Sequence, residues 1–224
     1  YEANVPSMNS LVEQKDLFLE KIRINIEKDL VRRNTSVGPH RDDLKITING
    51  IDIRDITQDE LRCKIGYVPQ KSVLFSGTID SNIKFGKEDA TKEEAEKAAT
   101  IAQAMDFING KEKGFDADIS QGGSNVSGGQ KQRLSIARAI VRKPEIYIFD
   151  DSFSALDFKT DVVLRRALSK EIDDSIIFIV AQRISTIMHA EQIIVLDEGK
   201  VVGIGTHSEL LKDCEVYQQI ASSQ

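Results

Sequence analysis

The segment Ile146-Tyr147-Ile148-Phe149-Asp150-Asp151 sets the reading of the chain, because a continuous apolar run ends there in two adjacent carboxylates. Apolar residues without polar alternation predict a strand of a parallel sheet covered on both faces. Residues 176–181 repeat the pattern, and residues 161–170 between them predict a helix, so the unit reads as a βαβ crossover. In open α/β sheets ligands collect at the carboxyl ends of strands, which is where Asp150 and Asp151 stand. One carboxylate there can hold Mg²⁺ while its neighbour orients a water. The competing reading is an aspartate pair that caps the following turn.

Upstream, a polar, Gly-rich stretch over 120–129 leads into a helix with Leu134, Ala137 and Val141 on one face, stopped at Lys143 by Pro144. Ser127-Gly128-Gly129-Gln130 opens that helix. Unpaired N–H groups and the helix dipole favour an anion at such a point, and the glycines let a phosphate approach. A Ser N-cap with no ligand is the plain alternative. Further back, Thr91 and Glu94 form a capping box before Ala95, Ala98, Ala102 and Met105, which predicts one helical face and a helical subdomain over about residues 72–143.

A short helix over 58–63 and a strand over 64–68, stopped by Pro69, place Gln70 at a strand end. Gln182 follows the run that ends at Ala181, so both amides belong to one carboxyl edge. Residues 192–196 and 200–204 flank Glu198-Gly199 as a hairpin, and Thr206-x-x-Glu209 opens a last helix. At the other end, Ser10-x-x-Glu13 and the spacing of Phe18, Ile22, Ile26 and Leu30 predict a helix over 10–33. Leu44, Ile46 and Ile48 alternate before Asn49-Gly50, with Ile51 and Ile53 beyond, which predicts a hairpin.

Composition narrows the function classes. A chain of 224 residues with 40% apolar and 29% charged residues can bury a core without disulfides, which excludes collagen-like and disordered classes. Its two cysteines, Cys63 and Cys214, have no metal-ligand spacing and fit a reduced, cytoplasmic protein. No apolar run approaches the roughly 20 residues of a membrane helix, and the first residues lack the apolar core of a secretory leader. A net charge of −6 has the wrong sign for binding DNA phosphates.

Together these elements resemble the nucleotide-binding domain of ABC transporters, of the exporter kind, over residues 49–224. The run Val126-Ser127-Gly128-Gly129-Gln130-Lys131-Gln132-Arg133 is similar to the family signature, 147–150 to its Mg²⁺-binding strand and Ser154-Ala155-Leu156-Asp157 to its D-loop. Gln70 occupies the Q-loop position, followed by the exporter-like Leu74-Phe75-Ser76-Gly77-Thr78-Ile79. The resemblance implies a P-loop-NTPase-like α/β fold, a mostly parallel sheet with an α-helical signature subdomain, and Mg²⁺-dependent ATP hydrolysis coupled to transport. It implies that Asp150, with Gln70, holds the metal, that Asp151 orients the lytic water and that Gln182 meets the γ-phosphate. Ser127, Gly128, Gly129, Gln130 and Asp157 would then complete an ATP site across a dimer. The implied partners are a second nucleotide-binding domain and a transmembrane domain, at the inner face of the plasma membrane.

The chain departs from that family in three places. The phosphate loop GxxxxGK[ST] belongs roughly forty residues before Gln70, yet residues 1–37 contain no glycine. Thr35-Ser36-Val37-Gly38-Pro39-His40-Arg41-Asp42-Asp43-Leu44 instead resembles a motif of the RecF family of DNA-repair ATPases, so residues 1–48 read as a RecF-like helix and strand joined to an ABC domain. Asp151 stands where Glu is usual, and Gln182 where His is usual. Both changes resemble the degenerate half of a heterodimeric exporter. Losing three or four charge-assisted phosphate contacts removes roughly 5–10 kcal/mol, against about 8 kcal/mol for micromolar binding. The isolated chain is therefore expected to be inactive or very weak. The alternative readings are a RecF-like DNA-repair fragment or an inactive chimera.

Overall fold

The computed structural model describes residues 47, 48, 50–172 and 175–224. The helix expected over 10–33 and the RecF-like motif lie outside the described residues. The chain divides into two compact units, Tyr1–Leu61 and Arg62–Gln224.

In the first unit β1 (Thr47–Ile48) pairs antiparallel with β2 (Ile51–Asp52), Thr47 opposite Asp52 and Ile48 opposite Ile51. Gly50 takes a φ of 80°, the left-handed conformation the tight turn needs. The expected hairpin is therefore present, though Ile53 leaves the strand for a 3₁₀ turn, Ile53–Asp55, capped by the Asp52 carboxylate. Helix α1 (Gln58–Lys64) begins in this unit and ends in the second.

The second unit runs β3 (Ile65–Val68), β4 (Gly77–Thr78), α2 (Ile79–Lys84), α3 (Lys92–Ile101), α4 (Met105–Asn109), β5 (Asp118–Ile119) and α5 (Gly128–Val141). It continues with β6 (Ile146–Asp150), α6 (Phe158–Glu171), β7 (Ile176–Val180), α7 (Ile184–Ile187), β8 (Ile193–Asp197), β9 (Lys200–Gly205), α8 (His207–Asp213) and α9 (Glu215–Ser222). Strands β3, β6 and β7 form a parallel sheet in that order, Tyr67 beside Ile148 and Ile148 beside Phe178. The fold is α/β with a parallel sheet, as the apolar runs predict.

The capping boxes at Thr91, Ser127 and Thr206 form as their spacing requires. The face assigned to α3 is corrected at its end: the helix stops at Ile101, Gln103 turns to a φ of 56°, and Met105 opens α4. Val68, Tyr147 and Phe149 lie in one core with Ala95, Leu134 and Leu164 of three different helices. Each such fully buried side chain contributes about 1.5–3 kcal/mol relative to exposure.

Among the described residues, cover is seen on one face of the sheet. Ile177 and Ile179 pack against the core, while Tyr67, Ile176, Phe178 and Val180 are exposed. Strand periodicity sends alternate residues to opposite faces. Among the described residues the large core, with α3, α5 and α6, serves the other face. A second, smaller core joins Ile184, Ile193, Val195, Leu210, Cys214 and Tyr217.

Candidate functional site

The carboxyl ends of the three parallel strands bring the acidic pair into reach of two side chains from the β3 edge. Tyr67 Oη donates to Asp150 Oδ2 at 2.9 Å, and Gln70 Nε2 donates to Asp151 Oδ2 at 3.1 Å. The Tyr67 hydroxyl is pushed above its ordinary range, first by the hydrogen bond it gives Asp150, then by burial and by that carboxylate's charge. Asp151 takes a φ of 43°, a left-handed conformation that aspartate tolerates better than most residues. Its N–H donates to Val180 O at 2.9 Å and its carbonyl accepts from Ser154 Oγ at 2.9 Å. Fully buried Ser152 donates to Val68 O at 2.9 Å. The turn after β6 is thereby fastened to both flanking strands, which fixes where the two carboxylates point.

Ser127 is the N-cap of α5: its Oγ accepts from Gln130 N–H at 3.3 Å, and Gln130 Oε1 accepts from Ser127 N–H at 3.1 Å. The cap reading of this loop is the one observed, and it uses two N–H groups, those of Ser127 and Gln130. A Cβ on Gly129 would lie 3.3 Å from Ala155 O, so this loop abuts the 154–157 turn, whereas a Cβ on Gly128 would meet nothing within 4 Å. Asp157 caps α6, accepting from Thr160 N–H at 3.0 Å and Thr160 Oγ1 at 2.6 Å. Those bonds, hydroxyl first, hold its carboxyl below the usual range, with a smaller contribution from Arg133.

Gln182 sits two residues beyond Val180, and its carbonyl accepts from Gln224 Nε2 at 2.7 Å. Among the described residues its side chain makes no hydrogen bond to Asp150 or Asp151. The structure thus joins Gln70 to Asp151 directly, sets Ser127–Gln130 beside the Asp157 turn, and holds Gln182 through its backbone. Sequence reasoning missed Tyr67, Ser152 and Arg165. Arg165 pairs with Asp161 at 2.8 Å and donates to Ser185 O and Thr186 O at 3.1 and 3.2 Å, tying α6 to α7. A cleft of about 30 Å³ opens between them, lined by Asp151, Ser154, Asp161 and Arg183 among others, room for a water or two.

The sequence profile of the ABC transporter family matches residues 35–154, more than half of the chain. The chain belongs to the ABC transporter family. It is 45% identical over 182 residues to an uncharacterised ABC transporter ATP-binding protein of Mycobacterium bovis, covering 80% of this chain and 31% of that protein. It is 43% identical over 179 residues to the ATP-dependent lipid A-core flippase of Desulfotalea psychrophila, with the same coverage, 80% and 31%. Among solved structures it is similar to a bacterial Atm1-family ABC exporter with ATP bound, at TM-score 0.78 and 37% identity, over 80% of this chain and 32% of that one. The chain therefore spans about a third of the length of these relatives. Among the described residues no helix is long and apolar enough to cross a membrane.

Family membership implies nucleotide binding, and the residues present suit Mg²⁺ as its counter-ion. No cluster of three or more His, Cys, Asp or Glu stands among the described residues. Mg²⁺ takes one or two carboxylates and completes its shell with water and phosphate oxygens, the donor set Asp150 and Asp151 offer.

Proposed function

We propose that this chain works as the ATP-binding and ATP-hydrolysing part of an exporter, and that it enters a composite site from the signature side. One observation supports this most: Gln70, Asp150, Asp151 and the Ser154–Asp157 turn share one sheet edge, with the capped N-terminus of α5 against that turn. In this reading Asp150 holds Mg²⁺ through water, and Gln70 senses the metal and couples it to the transmembrane partner. Asp151 orients the attacking water, less well than Glu because its side chain is one methylene shorter. Gln182 meets the γ-phosphate as an amide that cannot become cationic. Bound Mg²⁺ would neutralise charge on the phosphates. The remaining acceleration would fall to positioning by Gln70 and Asp151 at the ATP beside them and, at the ATP held by a partner's phosphate loop, to the N–H groups of Gly128 and Gly129.

The same proposal takes residues 1–48 as a RecF-like segment, 49–224 as an ABC domain without its phosphate loop and 72–143 as the helical subdomain. Without glycine amides and a lysine around the triphosphate, the chain borrows that cradle from a second nucleotide-binding domain, in a heterodimer. Its transmembrane partner holds it at the cytoplasmic face of the plasma membrane. Titration calorimetry of the purified chain with Mg-ATP is expected to give no binding heat at micromolar concentrations. In a mixed dimer with a partner that keeps its phosphate loop, Ser127→Arg is expected to abolish hydrolysis. Micromolar affinity in the lone chain would overturn the borrowed cradle, and full activity of the Ser127→Arg dimer would overturn the signature role.

A further inference from the structure

Helix α5, which opens on Ser127, carries two polar side chains that end on the segment leaving Gln70. Gln132 is 2% exposed and uses both ends of its carboxamide. Its Oε1 accepts from Ser72 Oγ, and its Nε2 donates to Pro69 O at 3.3 Å. Those two partners bracket Gln70. Farther along the helix, Arg138 donates to Asn82 O at 2.9 Å, Val73 O at 3.0 Å and Asn82 Oδ1 at 3.0 Å. Its guanidinium lies 5.2 and 5.5 Å from the ring centroids of Phe75 and Phe85. Asn82 in turn accepts from Phe75 N–H and donates to the carbonyls of Phe75 and Thr78, each at 2.9 Å.

We propose that Gln132 is a positioning residue for Gln70, joining the loop that holds Gln70 against Asp151 to the helix that begins at Ser127. Helix and loop then move as one body, with Arg138 extending the same fastening to residues 73–82. The chemistry of the position carries the argument. Neighbours such as Leu134 and Ile136 are buried and apolar, and a buried carboxamide is tolerated among them only when its groups are satisfied. Here they are satisfied on either side of Gln70 and Lys71, which ties that loop to α5. A shift of α5 on engaging a partner would thus reach Gln70 and, through the exposed bond at its tip, Asp151. The importance of that transfer rests on the nucleotide reading above; the mechanical link does not.

The link is tested on the full chain without nucleotide. In ¹⁵N-labelled protein the side-chain amide resonances of Gln70, assigned with Gln70→Ala, report its bond to Asp151. Gln132→Met and Ser72→Ala are each expected to shift those resonances and speed their proton exchange by about five- to tenfold, the factor one lost hydrogen bond supports. The Thr160 amide, held by Asp157, is expected to stay in place. If Gln132→Met fails to fold, Ser72→Ala decides alone. Unchanged Gln70 resonances in a folded variant would overturn the proposal, as would shifts of equal size at Thr160, which would mean general loosening. Neither result bears on whether the chain binds ATP.

Discussion

Gly86 is the position where one methyl group should do the most damage for the least chemistry. It follows α2 and Phe85 and lies against the last turns of α5. A Cβ there would fall 2.0 Å from Arg138 O, 3.1 Å from Arg138 C and 3.2 Å from Val141 Cγ1. Two of these atoms are backbone, so no rotamer change relieves the clash. The segment or the helix must move by about 1.5 Å to reach ordinary contact, and close-packed interiors resist that. Overpacking costs about 1–3 kcal/mol where side chains yield. With backbone against backbone, Gly86→Ala is expected at about 2–4 kcal/mol, a fall in Tm of roughly 5–15 °C for a chain of this size. Gly128→Ala is the control, because a Cβ there meets nothing within 4 Å. It should leave stability unchanged or raise it by up to about 1 kcal/mol through the unfolded chain. Urea unfolding followed by circular dichroism measures both. A Gly86→Ala variant within about 0.5 kcal/mol of the parent, the scatter of an ordinary surface change, would refute the argument, as would equal damage from Gly128→Ala.

Two further outcomes follow from single side chains. Glu94 is held down to about 2 by Lys143 first, then by Lys87 and the Thr91 N–H. A carboxyl whose folded value is depressed stabilises the fold above its unfolded value near 4.5 and loses that contribution as pH falls toward 2. Urea midpoints should therefore drop over that window, and Glu94→Gln should flatten the drop; parallel curves for the two proteins would count against it. Ser152→Ala removes the donor to the Val68 carbonyl at 2.9 Å, for an expected loss of about 1–3 kcal/mol on thermal unfolding, and an unchanged Tm would contradict the role given to that hydroxyl.

Features that depend only on residues close in sequence were legible before any coordinates. The capping boxes at Thr91, Ser127 and Thr206, the turn at Glu198-Gly199 and the strand ending at Asp150 are all local, and all form. Contacts set by register were not legible. Tyr67 reaches Asp150 because β3 lies beside β6 with Tyr67 opposite Ile148, two residues short of the carboxylate on the same face. Nothing local to Tyr67 announces that. Gln132 reads in sequence as one more polar residue of a signature-like run, and only packing shows it buried. The exposure of alternate β7 residues was not legible for a related reason. An all-apolar run such as 176–180 reports what a strand is fit to bury, whereas its cover is supplied by other parts of the chain or by partners.

The two carboxylates differ in what must change before they can act. Asp151 is held by Gln70, a side chain the proposed mechanism keeps in place, so under that proposal its geometry would serve water orientation as it stands. Asp150 is held by Tyr67, whose hydroxyl donates to the oxygen a cation would need. A hydroxyl can rotate to release that oxygen. Were Mg²⁺ held by Asp150, as proposed, Tyr67 would not have to leave the site; turning its hydroxyl would free Oδ2 for the ion. The amide of Gln70 carries both donor and acceptor on one rigid plane, so reversing its bond requires the plane to flip, and its backbone is the part fastened to α5. Of the two, the Gln70 contact is the one tied to α5, through Pro69 and Ser72, and in the proposed mechanism the Tyr67 contact would be the one to yield to the ion.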